Sequence, residues 1–90
     1  MIEPYDIELS NRLSKNLRKL QSKDNRHYRS VVNKILQLSE NPQLGKPLGN
    51  ILKGKRRVHI GSLVLIYEID ENERLLKFLD IAHHDEAYES

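Results

Sequence analysis

Lys55, Arg57 and His59 alternate along one short segment, and side chains of these types at this spacing could handle a phosphodiester. In an extended chain, residues two apart project from the same side, so two cations and an imidazole would share one face. Two fixed cations can hold a phosphate as negative charge develops on it. A histidine can take or give a proton near neutral pH. These are the side chains with which RNA is cut without a metal. His83-His84-Asp85 follows the last apolar run, and Tyr88 stands four residues beyond His84, close enough in sequence to serve as a stacking group or proton carrier. His83, His84, Asp85 and His59 could instead ligate a metal, although adjacent histidines in a strand point to opposite faces and rarely share one ion. Two surface histidines closing a strand, and an ordinary solvated sheet face, are the readings that carry no chemistry. His27, beside Arg26 and near Arg29, reads as an exposed helical residue.

A β-hairpin must position these groups. In the run LKGKRRVHIGSLVLIYEID, from Leu52 to Asp70, Gly61-Ser62 makes a two-residue turn, and glycine in its first position favours type II′. Ile60 then pairs with Leu63, His59 with Val64, Val58 with Leu65 and Arg57 with Ile66, and Lys55 lies opposite Glu68. Val58, Ile60, Leu63, Leu65 and Tyr67 share one apolar face, while Lys55, Arg57 and His59 share the other with Val64 and Ile66. A cationic face with some apolar floor is what a groove for single-stranded nucleic acid requires.

The spacing places strands at about 52–60, 62–70 and 74–82. Ahead of them, Leu9, Leu13, Leu17 and Leu20 recur at helical spacing, with Ser10 as N-cap. A second helix is expected from about Asn25 to Glu40, with Tyr28, Val32, Ile35 and Leu36 on its core side and Leu38 at the margin. Asn41-Pro42 ends it, because proline disfavours helix in the residue before it. Residues 41–50, NPQLGKPLGN, form a structured loop, and Tyr5 to Leu9 start either as a strand or as the lead-in to the first helix. The order (β)ααβββ describes one α+β domain over residues 1–90, with two antiparallel helices packed on one face of an antiparallel sheet.

Composition sets the remaining bounds. Ninety residues at 38% hydrophobic support one small core, and the absence of cysteine rules out disulfides and thiolate zinc sites. The acidic start lacks a signal-peptide pattern, and no apolar run approaches the ~20 residues of a membrane span, so a soluble, cytoplasmic protein is expected. Residues 11–60 hold thirteen of the fifteen Lys and Arg against two acids, Asp24 and Glu40. So uneven a distribution should offer a basic surface to a polyanion. No Gly-x-Gly-x-x-Gly, P-loop, His-Glu-x-x-His or nucleophile-elbow pattern supports nucleotide, zinc-protease or serine-hydrolase chemistry.

The helix pair, the loop LGKPLGN, the hairpin LKGKRRVHIGSLVLIYEID and the ending HHDEAY together resemble the RelE/ParE toxin superfamily of toxin–antitoxin systems, from about Tyr5 to Tyr88. The resemblance implies a RelE-like βααβββ fold, a RelB-like antitoxin partner, and ribosome-dependent mRNA cleavage without metal or cofactor, leaving a 2′,3′-cyclic phosphate and a 5′-hydroxyl. RelE-type toxins place two basic residues, one apart, on the first hairpin strand, where Lys55 and Arg57 stand. They commonly carry an arginine three residues before the hairpin tyrosine, and here that position is Val64. An arginine usually stands where His84 does, and a late tyrosine is matched by Tyr88. The resemblance thus gives Lys55, Arg57, His59, His84 and Tyr88 as candidate catalytic residues, and Lys46, Lys53, Arg56 and His83 as candidate RNA contacts. The alternatives are a ParE-like toxin acting on DNA gyrase and a catalytically silent, antitoxin-binding member.

Overall fold

The computed structural model describes residues 3–48 and 54–83. Two helices lie against one five-stranded sheet. Strand β1 (Asp6–Leu9) leads into α1 (Asn11–Lys23) and α2 (Asn25–Glu40), then a 3₁₀ turn (Pro42–Leu44) and a two-residue strand β2 (Lys46–Pro47). The hairpin β3 (Lys55–Ile60) and β4 (Leu63–Asp70) follows, and β5 (Leu75–His83) completes the sheet in the order β1-β5-β4-β3-β2.

Local chemistry explains the boundaries. Ser10 caps α1 by accepting from Leu13 N–H, and Asp24, the single residue between the helices, caps α2 by accepting from His27 N–H. Pro42 stops α2 at Glu40, as expected from the sequence. Gly61 has φ +60°, while Ser62 is outside the left-handed region, the combination of a type II′ turn. The hairpin register is the expected one at each pair from Lys55↔Glu68 to Ile60↔Leu63.

The core lies between the helices and one face of the sheet. Leu13 and Leu17 of α1 and Val31, Ile35 and Leu38 of α2 pack on Leu65, Tyr67, Leu76 and Phe78. The expected phase of α2 is corrected here: Val31 and Leu38 are buried, while Leu36 is 55% exposed. Val31-Val32 and Ile35-Leu36 are adjacent apolar pairs, so either member fits a helical stripe. Contact with the sheet chooses between them.

Two further departures concern the sheet. Of the two alternatives for Tyr5 to Leu9, the strand is the one seen, over Asp6–Leu9, and it pairs in parallel with β5, so the sheet is more than an antiparallel meander. A register shift between Ile66 and Tyr67 leaves Leu79 as an extra residue in β5. Next to this bulge, Asp80 meets α1, accepting from Asn16 at 2.9 Å and pairing with Arg12 at 3.2 Å. Among the described residues, no helix is long and apolar enough to cross a membrane.

Candidate nucleic-acid interface

Lys55, Arg57 and His59 alternate on β3 and face away from the helices, as the hairpin register requires. Lys46 joins them. It sits directly opposite Arg57 across the β2–β3 ladder, so its side chain stands on the same outward face. Rows across this face run Lys46, Arg57, Ile66 and, beside them, His59, Val64, Ala82. A third row runs Lys55, Glu68, Lys77, and Lys55 Nζ lies 3.7 Å from the Glu68 carboxylate. His59 and Lys46 are exposed, Lys55 and Arg57 half-buried. Val64, expected as part of an apolar floor, has no exposed surface at all.

Arg56 does not belong to this face. Its neighbours in register are Pro47 and Tyr67, and its guanidinium is spent on the loop after α2. Arg56 Nη2 donates to Gly45 O at 2.7 Å and Gln43 O at 3.2 Å, and Nε donates to Gly45 O at 3.0 Å. The Tyr67 hydroxyl donates to Pro42 O at 2.7 Å and accepts from Gly45 N–H at 3.0 Å. Gly45 is pressed so close that a Cβ there would stand 2.5 Å from Tyr67 Oη and 2.8 Å from Arg57 O. This clamp lays β2 against β3 and so delivers Lys46 to Arg57.

His83 is likewise on the other side. It pairs with Leu63, whose side chain points to the core, and it borders a groove beside α1. Lys53, His84 and Tyr88 lie outside the described residues. The structure thus brings together Lys46, Lys55, Arg57 and His59, and separates Arg56 and His83 from them.

His27 is half-buried rather than exposed, a further correction. Its Nε2 lies 3.0 Å from Ile60 O. A carbonyl only accepts, so Nε2 carries the proton. The ring also packs on Gly61, where a Cβ would come within 3.1 Å of Nε2. His27 therefore holds the tip of the hairpin to the start of α2. No local sequence signal marks this bond, which spans 33 residues.

Elsewhere, the Tyr5 hydroxyl donates to Glu71 at 2.8 Å, which raises its pKa above the usual tyrosine value, while Arg74 lies 4.3 Å over its ring. This pair ties the β4–β5 turn to the segment before β1.

Comparison with known proteins then bears on these surfaces. The family model described as ParE toxin of type II toxin-antitoxin system, parDE, matches residues 7–88. A protein of Methanocaldococcus jannaschii described as a candidate toxin, RelE4, is 36% identical over 85 residues, covering 93% of this chain and 90% of that one. The toxin–antitoxin complex RelBE2 of Mycobacterium tuberculosis contains a chain with a TM-score of 0.80 at 28% identity, covering 93% of this chain and 95% of that one. The isolated RelE toxin of E. coli shares the fold, with a TM-score of 0.74 at 16% identity over 88% of this chain and 83% of that one.

Proposed function

This chain belongs to the ParE toxin family of type II toxin–antitoxin systems, within the RelE/ParE superfamily, and from that footing we propose a RelE-like, ribosome-dependent mRNA endoribonuclease restrained by a RelB-like antitoxin. One observation carries the reading: Lys46, Lys55, Arg57 and His59 share the outward face of β2 and β3.

In the proposed reaction a base removes the proton from a ribose 2′-hydroxyl, and the 2′-oxygen attacks the adjacent phosphorus. The bond from phosphorus to the 5′-oxygen breaks, leaving a 2′,3′-cyclic phosphate, and an acid protonates the departing oxygen to a 5′-hydroxyl. Lys55 and Arg57 hold the non-bridging oxygens as charge builds on them. Lys46, beside Arg57, extends the cationic track along the backbone, and Lys53 is a further candidate RNA contact. His59 and His84 are the candidates for base and acid, with Tyr88 the alternative acid. The scheme uses neither metal nor cofactor. Arg56, committed to the loop carbonyls, and His83, on the far face, drop out of the RNA-contacting set.

Primer extension on a model mRNA incubated with ribosomes and the purified chain tests the reading. Ribosome-dependent cuts that weaken in His59→Ala or His84→Ala are expected. No cleavage, together with undiminished toxicity of both variants in cells, overturns it. A gyrase-directed, ParE-like toxin is the second reading. The family model that matches favours it, and so does fully buried Val64 where RelE-type toxins commonly carry arginine. A DNA-supercoiling assay run beside the translation assay separates the two.

A further inference from the structure

We propose that Glu68 is a positioning residue for Lys55, a role that rests on the endoribonuclease reading above. Lys55 faces Glu68 directly across the β3–β4 ladder, and its Nζ lies 3.7 Å from Glu68 Oε2. The two side chains are 33% and 34% exposed, so the pair is partly shielded from solvent screening. In register, Arg57 faces Lys46 and Ile66, and His59 faces Val64. Of the three candidate catalytic groups on β3, Lys55 is thus the one with a carboxylate directly across. Lys77 stands beyond Glu68 on β5 and Glu8 beyond Lys77 on β1, so charges alternate in one row over four strands. Opposite charges on neighbouring strands support one another, and such a row holds Glu68 at its station.

A carboxylate on a face that binds phosphates works against binding, because it repels the substrate beside it. Lysine supplies the reason for it. The ammonium is a point charge on a flexible four-carbon stem, and left alone it samples many positions. Stabilising a transition state requires charges that are fixed before the reaction begins. Glu68 fixes this one from the side. At 3.7 Å the contact is between charges rather than a hydrogen bond, so the ammonium keeps its three N–H donors for the phosphate. Glu68 therefore weakens the attraction of RNA in the ground state and sharpens the hold on the phosphate oxygens in the transition state. Removing it should move KM and kcat in the same direction, both downward.

The test is steady-state cleavage of ribosome-bound mRNA by the full chain. Glu68→Gln, which keeps the shape and removes the charge, should lower kcat about tenfold and lower KM severalfold. Glu68→Asp, which restores the charge on a shorter stem, should recover part of the kcat and return KM toward its original value. In a Lys55→Ala background, Glu68→Gln should change kcat by no more than about twofold, because the carboxylate acts through the lysine. Glu8→Gln removes an equal charge from the far end of the same row and should likewise leave kcat within about twofold. The proposal is overturned if Glu68→Gln leaves kcat within about twofold or raises KM, or if kcat falls as far when Lys55 is already absent. A matching loss in Glu8→Gln overturns it as well, since net charge would then explain the effect. If the unaltered chain does not cleave ribosome-bound mRNA, the endoribonuclease reading itself fails and the role of Glu68 falls with it. That result is distinct from cleavage that is indifferent to Glu68.

Discussion

One face of β3, β4 and β5 is packed against helices and the other carries the candidate chemistry, and the two solve different problems. The helix face buries Ile60, Leu63, Leu65, Tyr67, Leu76, Phe78 and Ile81, and the Tyr67 hydroxyl is satisfied internally. The outward face keeps Lys46 and His59 exposed and Lys55 and Arg57 half-exposed. The difference teaches where precision comes from. Arg56 and Tyr67, both on the helix face, fix the loop that brings Lys46 beside Arg57. A residue can therefore matter to the charged face without standing on it.

Substitutions should separate the faces. Phe78→Ala, which empties a fully buried aromatic site stacked on Tyr67 at 5.5 Å, should cost about 3–5 kcal/mol of stability. Urea denaturation measures the cost, and cleavage per folded molecule should hold. On the proposed reaction, Arg57→Ala should do the reverse, lowering ribosome-dependent cleavage by about 10²–10³-fold with a much smaller midpoint shift. If Phe78→Ala lowers cleavage without moving the midpoint, the two faces are not separable in this way.

Tyr67→Phe probes the connection between them. It leaves Gly45 N–H and Pro42 O without their partner, for about 2–4 kcal/mol of stability in all. Because β2 rests on that clamp, cleavage should also fall, by up to as much as in Lys46→Ala. A loss of stability with unchanged cleavage would show that the loop does not position Lys46.

Much of this division was legible beforehand. Gly61-Ser62 determines the parity of the hairpin, and parity alone put Lys55, Arg57 and His59 together. Ser10 and Pro42 marked helix ends through local hydrogen bonding and ring geometry. The failures arose where distant contacts decide. Strand β2 is two residues long and includes a proline, so its pairing depends on a clamp whose bonds span 11 and 25 residues of sequence. The phase of α2 was ambiguous between adjacent apolar residues, and His27 finds its partner only in the folded chain. Arg56 differs from these: the parity that turns Arg57 outward turns Arg56 to the other face, where its guanidinium holds the loop carbonyls.

Val64 gives the finest test, because it stands on the charged face and is buried as completely as the core. Val64→Thr keeps the shape of the side chain and introduces one hydroxyl. If the site is as dry as its exposure indicates, that hydroxyl loses water without a built-in partner, for about 1 kcal/mol of stability. On an open, hydrated floor the same change would cost nothing measurable, so an unchanged urea midpoint would show that water reaches Val64. Cleavage should be unaffected by a buried threonine beside His59, its neighbour in register. A threonine that alters cleavage at constant stability would put position 64 in contact with RNA, and the outward face would then read its substrate with more than its cations.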